Sequence, residues 1–128
     1  MRLNGIIQFS PNDLNLIAEA LHYIEKQYPV YISAEKLSEE VNIEIRKLQA
    51  GFKKKVKYTV HQYQISLRVH RSKADLADYN LSLKEISFKN GFKNANQFRK
   101  LFKKHTCQTP LAYRIQLTNI GNHLASPS

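Results

Sequence analysis

The amino-acid sequence predicts an all-α protein of about seven helices, and three observations favour this fold. Apolar residues recur at intervals of three and four along most of the chain. No segment has the pattern of a β-strand. One motif, two short helices around a tight turn, occurs twice: LSEEVNIEIRKLQAGFKK fills 37–54, and ISFKNGFKNANQFRKLFKK fills 86–104. We therefore expect two three-helix lobes joined by a linker helix.

The order of these elements divides the chain into five segments. We expect a linker or arm at 1–9, a first lobe at 10–57, a connecting helix at 58–76, a second lobe at 77–120 and a disordered tail at 121–128. The tail prediction follows from the loss of helical periodicity after the last apolar face.

The first helix of the first lobe begins at a strong capping signal and ends before a proline. Ser10 is suited to the N-cap and Pro11 to the first helical position. The residue before Pro29 disfavours the α region, so the helix ends there. Five residues at helical spacing predict its buried face: Leu14, Ile17, Leu21, Ile24 and Tyr28.

The first copy of the motif follows. Ser33 caps a helix at about 34–41, and Asn42, which tolerates positive φ, makes the turn to a second helix at about 44–55. The inner face of that second helix carries Ile45, Leu48 and Phe52, and its outer face carries Arg46, Lys47, Ala50 and Lys53, with Gln49 at the flank. Gly51 costs up to about 1 kcal/mol relative to Ala, so we expect a softer helix.

The connecting helix is predicted at 59–74. About sixteen residues give a rod of about 25 Å at 1.5 Å per residue. One stripe contains Val60, Tyr63, Leu67 and Ala74, and a loop is predicted at 75–81.

The second copy of the motif begins at Ser82, which with Glu85 has the pattern of a reciprocal capping box. Gly91 makes the turn to a basic helix at about 94–105. Its inner face carries Ala95, Phe98, Leu101 and Phe102, and its outer face carries Asn96, Lys100 and Lys103, with Arg99 at the flank. A last short helix is expected from Pro110.

The charge is large and unevenly distributed. The net charge is +10, from 20 Lys and Arg against 10 Asp and Glu. Blocks 46–57 and 84–105 hold six and seven of the basic residues and only one acid, Glu85. A directed positive field of this kind favours a polyanionic partner.

Other chemistry has little support in the sequence. No apolar run approaches the roughly 18–20 residues of a membrane span, and no secretion signal is present. Cys107 is the only cysteine and the five His are scattered, so neither a disulfide nor a zinc site is predicted. We expect no catalytic residues, no metal and no cofactor.

The sequence resembles the DNA-binding domain of the AraC/XylS family of transcription regulators. The more specific match lies in the second half: Gly91-Phe92, Phe98, Phe102-Lys103-Lys104, Thr109-Pro110 and Tyr113-Arg114 stand at the family's spacing. The resemblance implies two homeodomain-like helix-turn-helix lobes, double-stranded DNA as partner and a cytoplasmic bacterial regulator. It admits RNA polymerase and an N-terminal sensory or receiver domain as further partners.

A recognition helix reads bases from the outward face of its N-terminal half. We therefore predict base-reading roles for Arg46, Gln49, Ala50, Asn96, Arg99 and Lys100, positions at which the family also makes base contacts. Phosphate contacts are predicted for Lys47, Lys53, Lys54, Lys93, Lys103 and Lys104. Two helices on one face of a duplex must lie about 34 Å apart. Either a bent duplex or a loosely docked first lobe satisfies this distance.

Two alternatives use the same charge. A non-specific nucleic-acid binder would also carry it, although exposed stacking aromatics for single strands are not evident. A helical bundle that binds an acidic protein partner is the other alternative. Two measurements separate the three hypotheses. One is the salt dependence of DNA binding, and the other is whether a mutation in the protein changes the preference at a single base position.

Overall fold

The computed structural model describes residues 7–125, with side chains as far as 119, and all regular structure in that range is helical. The helices are α1 Pro11–Gln27, α2 Ala34–Val41, α3 Ile45–Val56, α4 Val60–Leu76, α5 Leu83–Lys89, α6 Ala95–Thr106 and α7 Pro110–Ala125. The predicted all-α fold and the predicted seven helices are confirmed for the described residues.

The chain divides into two compact units, Met1–Gln64 and Ile65–Ser128. The division falls within α4, so the predicted connecting helix at 58–76 is shared between the units. Its first turns belong to the first unit, where Gln64 and Ile32 form two buried hydrogen bonds. The Ile32 amide donates to Gln64 Oε1 at 2.9 Å, and Gln64 Nε2 donates to the Ile32 carbonyl at 2.7 Å.

The core of the first unit is formed by α1, α2, α3 and the start of α4. Leu37, Leu48 and Phe52 are fully buried, and the Phe52 ring meets Tyr63 edge-on at 5.4 Å. These contacts bury the inner face predicted for α3. Asn42 adopts the predicted left-handed conformation, with φ of 57°, and ends α2.

The predicted buried face of α1 is wrong in part. Leu14 is 53% exposed, whereas the buried positions are Asp13, Ile17, Ala20 and Ile24. The periodicity counted only large apolar side chains. The packed face instead contains a small residue, Ala20, and an acid that is satisfied by hydrogen bonds.

Gly51 lies where α1 and α3 pack most closely. A Cβ atom at this position would lie 2.0 Å from Ile17 Cδ1 and 3.2 Å from Phe9 Cε1. The loss of helix propensity at Gly51 is therefore exchanged for close packing of α3 against α1. The sequence showed the cost of this glycine but not the contact that it permits.

The second unit has a continuous aromatic core. The cluster contains Val69, Leu76, Ile86, Phe92, Phe98 and Phe102. Ring centroids are 4.9 Å apart between Phe92 and Phe98, and 5.7 Å apart between Phe98 and Phe102. The Tyr113 ring of α7 extends the series, 5.5 Å from Phe102. This cluster confirms the inner face predicted for α6.

Arg114 fastens α7 to the loop between α4 and α5. Its buried guanidinium group donates to the carbonyl oxygens of Leu76 at 2.9 Å, Asp78 at 3.0 Å and Leu81 at 2.8 Å. One side chain thus donates to three backbone acceptors at once, of which the Asp78 carbonyl oxygen also accepts from the Leu81 amide at 3.1 Å. Without Arg114, the carbonyl oxygens at the end of α4 and in the following loop would lose this buried hydrogen-bond donor.

Several predicted boundaries in the second half differ from the structure. α4 continues to Leu76, into the predicted loop, and Ala74 of its predicted stripe is exposed. Ser82 Oγ accepts from the Glu85 amide, but within the described residues the Ser82 amide does not donate back to the Glu85 carboxylate. α7 is not short: it runs through Gly121 to Ala125, past the predicted start of the tail. The rest of that segment lies outside the described residues.

Among the described residues, no helix is both long enough and apolar enough to cross a bilayer.

The packing at Gly51 predicts a coupled pair of substitutions. Gly51→Ala gains up to about 1 kcal/mol of helix propensity but overpacks the core against Ile17, at a cost of about 1–3 kcal/mol. We expect net destabilisation in the wild-type chain. Ile17→Val removes the Cδ1 atom, and in that background Gly51→Ala should destabilise less, because the contacts that remain, to Cγ1 of residue 17 and to Phe9 Cε1, lie at 3.1 and 3.2 Å. Urea unfolding of the four proteins measures the coupling, and additive effects would contradict this account of the contact.

Candidate nucleic-acid interface

α3 and α6 are built alike, fifty positions apart. Phe52 and Phe102 are both fully buried. Each helix ends on a left-handed residue, Lys57 with φ of 69° and Cys107 with φ of 64°. Burial of the same face in each helix leaves the same opposite face in solvent. That face carries six exposed side chains from the predicted set: Arg46, Gln49, Lys53, Asn96, Arg99 and Lys100.

The remaining predicted side chains lie in less uniform surroundings. Ala50 is half-buried, so only part of its methyl group is accessible. Lys93, Lys103 and Lys104 are exposed. Lys54 is exposed as well, but its ammonium group lies over the Phe9 ring, 5.7 Å from the centroid. That position matches a cation–π contact, which orients Lys54 at the C-terminal part of α3.

Lys47 points away from the predicted outer face. Its ammonium group forms an ion pair with Asp13 Oδ2 of α1, at 3.1 Å. The same carboxylate accepts from the Ser10 amide at 2.9 Å. Lys47 therefore fastens α3 to the start of α1, which competes with the predicted phosphate contact. The sequence offers only a weak signal for this pair, because Asp13 stands three residues after Ser10 and so fits the capping box of α1 without any further partner.

The pKa of Asp13 is lowered by these contacts. The backbone hydrogen bond from Ser10 has the largest effect, and the hydrogen bond from Lys47 follows. Both favour the ionised carboxylate in the folded protein. At the other basic helix, partial burial and the neighbouring Lys104 lower the pKa of His105, so its imidazole is neutral at pH 7.

The N-termini of the two helices differ. The Asn94 side chain accepts from the Gln97 amide at 2.8 Å, and Gln97 Oε1 accepts from the Lys93 amide at 2.6 Å. At the corresponding place in the first unit, Glu44 makes no side-chain capping bond. A cap contributes about 1 kcal/mol, so the first turn of α6 is held more firmly than that of α3. The pattern Asn94-x-x-Gln97 could have revealed this cap in the sequence.

A metal centre has no counterpart among the described residues. Nowhere in that part of the chain do three or more His, Cys, Asp or Glu side chains come together in an arrangement suited to a metal ion. Cys107 is an exposed free thiol at the end of α6.

Comparisons with known proteins give one consistent family. A helix-turn-helix domain family matches residues 37–116. The Escherichia coli protein YdiP, an uncharacterized helix-turn-helix transcriptional regulator, is 32% identical over 104 residues, which are 81% of this chain and 34% of that protein. The chain thus spans about a third of that relative's length.

Two solved structures have the same fold. An AraC-type regulator from Chromobacterium violaceum gives a TM-score of 0.74 at 22% identity, covering 84% of this chain and 96% of that one. The C-terminal domain of the two-component response regulator YesN from Fusobacterium nucleatum gives 0.69 at 29% identity, covering 78% and 98%.

The lowered pKa of Asp13 predicts an acid-sensitive part of the stability. A carboxyl group with a depressed folded pKa stabilises the fold above its unfolded pKa of about 3.9, and this contribution is lost as pH falls through the folded value. The Asp13→Asn protein should therefore lose less stability than wild type between about pH 6 and about pH 2, two values that bracket the unfolded pKa of about 3.9. Lys47→Gln should be intermediate. Urea unfolding at both pH values measures this, and equal losses in all three proteins would contradict the assignment.

Proposed function

The chain belongs to the AraC family of helix-turn-helix DNA-binding domains, and from this membership we propose that α3 and α6 enter successive major grooves at a promoter. The domain is a sequence-specific DNA-binding module of a transcription regulator. The observation that carries the proposal is the repeated helix itself. Each copy buries Phe52 or Phe102 and exposes basic and amide side chains on the opposite face.

α6 is proposed as the principal base-reading helix. Asn96, Arg99 and Lys100 are exposed, opposite the buried Phe98. Arg and Lys can pair with guanine O6 and N7, and Asn with adenine N6 and N7. The capped first turn supports this role, because a base reader must hold its N-terminal half in fixed register.

α3 is proposed to read fewer bases, through Arg46, Gln49 and the accessible part of Ala50. The softness that the sequence predicts at Gly51 is not the reason. Gly51 is well packed, but the first turn of α3 has no side-chain cap, and Glu44 places an exposed carboxyl group there. A negative charge at this end opposes an approaching phosphate.

Phosphate contacts are proposed for Lys53, Lys54, Lys93, Lys103 and Lys104. Four of them, Lys53, Lys54, Lys103 and Lys104, lie in the last turns of α3 and α6. Lys47 is withdrawn from the set because it is paired with Asp13. Phosphate contacts position the protein on the duplex, and base contacts then select the sequence.

The chain is further proposed to act as the output module of a longer regulator. The match spans only 34% of YdiP, and the YesN structure is the C-terminal domain of a response regulator. An N-terminal sensory or receiver domain and RNA polymerase are the proposed partners of the whole protein. Because its proposed target is a promoter, the protein is also proposed to act in the cytoplasm. No catalytic step is assigned to this chain.

Arg99 and Lys103 form a matched pair for testing α6. Arg99→Ala should relax the preference at one base-pair position and cost about 1–3 kcal/mol on the preferred duplex. Lys103→Gln should weaken binding evenly across sequences. Binding to a panel of duplexes with single base-pair changes measures both. If Arg99→Ala instead weakens binding to all duplexes equally, Arg99 contacts phosphate and does not read a base.

Lys47 and Lys53 lie on the same helix and should behave in opposite ways. Lys53→Gln should reduce the slope of log affinity against log salt by about 0.9 and leave the free energy of unfolding nearly unchanged. Lys47→Gln should lower the free energy of unfolding and leave the salt slope unchanged, because its charge is occupied by Asp13. Duplex titrations at several salt concentrations, together with urea unfolding, measure both. A reversed result would restore Lys47 as a phosphate contact.

A further inference from the structure

The first unit contains a cavity beside the outer face of α3. Its volume is about 600 Å³, and its walls come from α3, from the segment that begins α2 and from the start of α4. Sites for small molecules occupy about 300–1,000 Å³. The cavity is open at the surface and shares Gln49, Lys53 and Lys54 with the proposed DNA-binding face, but most of its lining comes from residues outside that face. DNA binding therefore accounts for only part of this lining.

The cavity combines positive charge with apolar surface. Lys53 and Lys54 line it from α3, and both side chains are exposed. Ala50 and Val60 also line the cavity, from α3 and α4. This pairing of ammonium groups with an apolar wall suits a ligand that has a flat hydrocarbon body and an anionic end.

A preformed aromatic wall lines part of the same cavity. The rings of Tyr31 and His61 meet edge-on, with centroids 5.5 Å apart, and His61 Nδ1 lies 3.3 Å from the Tyr31 hydroxyl. This contact orients the two exposed rings relative to each other, and together they offer a planar ligand an aromatic surface to pack against. Glu35 adds one carboxyl group to the lining. That charge disfavours a dianion and selects a ligand with a single negative charge.

We propose that this cavity binds a small planar organic monoanion, such as an aromatic carboxylate, and that the bound ligand excludes DNA from α3. The exclusion follows from shared residues: Gln49, Lys53 and Lys54 line the cavity and also belong to the proposed DNA-binding face. The exclusion of DNA rests on the proposed function, whereas the binding of the ligand does not.

The ligand test uses the full chain and 1-naphthoate as probe. The chain contains no Trp, so naphthalene fluorescence is observed without a tryptophan background. We expect saturable binding that the double variant Lys53→Gln/Lys54→Gln weakens about tenfold. The matched control, Lys103→Gln/Lys104→Gln, removes the same charges from α6 and should leave the affinity unchanged. The neutral analogue 1-naphthamide should bind about tenfold more weakly than the acid.

Three results would overturn the site. They are the absence of saturable binding, an equal loss in both double variants, and equal affinity for the neutral analogue. Duplex titrations with saturating 1-naphthoate test the exclusion: a raised apparent Kd supports it, and an unchanged Kd overturns it. A chain that binds 1-naphthoate but no duplex would support the site and overturn the proposed function, so the two failures are distinguishable.

Discussion

The structure depends on the burial of an equivalent phenylalanine, Phe52 or Phe102, in each of two basic helices. Phe52 and Phe102 have no exposed surface, and full burial of a Phe side chain stabilises a fold by about 1.5–3 kcal/mol. In a helix, that burial also fixes which residues point to solvent, because the opposite face is set by the 3.6-residue period. The proposed DNA-binding side chains are presented by this constraint rather than by contacts of their own.

The two units meet this constraint by different means. In the second unit a series of rings from Phe92 to Tyr113 holds the inner face of α6, and a side-chain cap holds its first turn. In the first unit α3 is held from α1, through the close approach at Gly51 and through the ion pair between Asp13 and Lys47. The side-chain cap of Asn94 fixes the start of α6, whereas α3 has no side-chain cap at Glu44 and is held to α1 by Lys47 in its first turn and at Gly51 in its middle. This difference is the basis of the proposal that α3 reads fewer bases than α6.

Local sequence patterns predicted much of the fold. The capping signal at Ser10, the turns at Asn42 and Gly91, and the buried face of α6 are short-range features that periodicity and turn chemistry reveal. Contacts between distant residues were not predicted. Lys47 looked like an outward cation because its partner lies thirty-four positions earlier. The cavity could not be predicted from the sequence either, since its lining is assembled from three helices. The site residues on the outer faces remain predictions, supported by exposure and by family membership.

Selection of this domain on a randomised duplex library, followed by sequencing of the bound fraction, tests whether α3 and α6 both read DNA sequence. The account predicts two enriched blocks whose centres lie about 10–10.5 base pairs apart, one sharply defined by α6 and one more weakly defined by α3. Retention of DNA without any enriched block would contradict sequence reading by either helix. A single enriched block would contradict base reading by α3 and leave α6 as the only recognition helix.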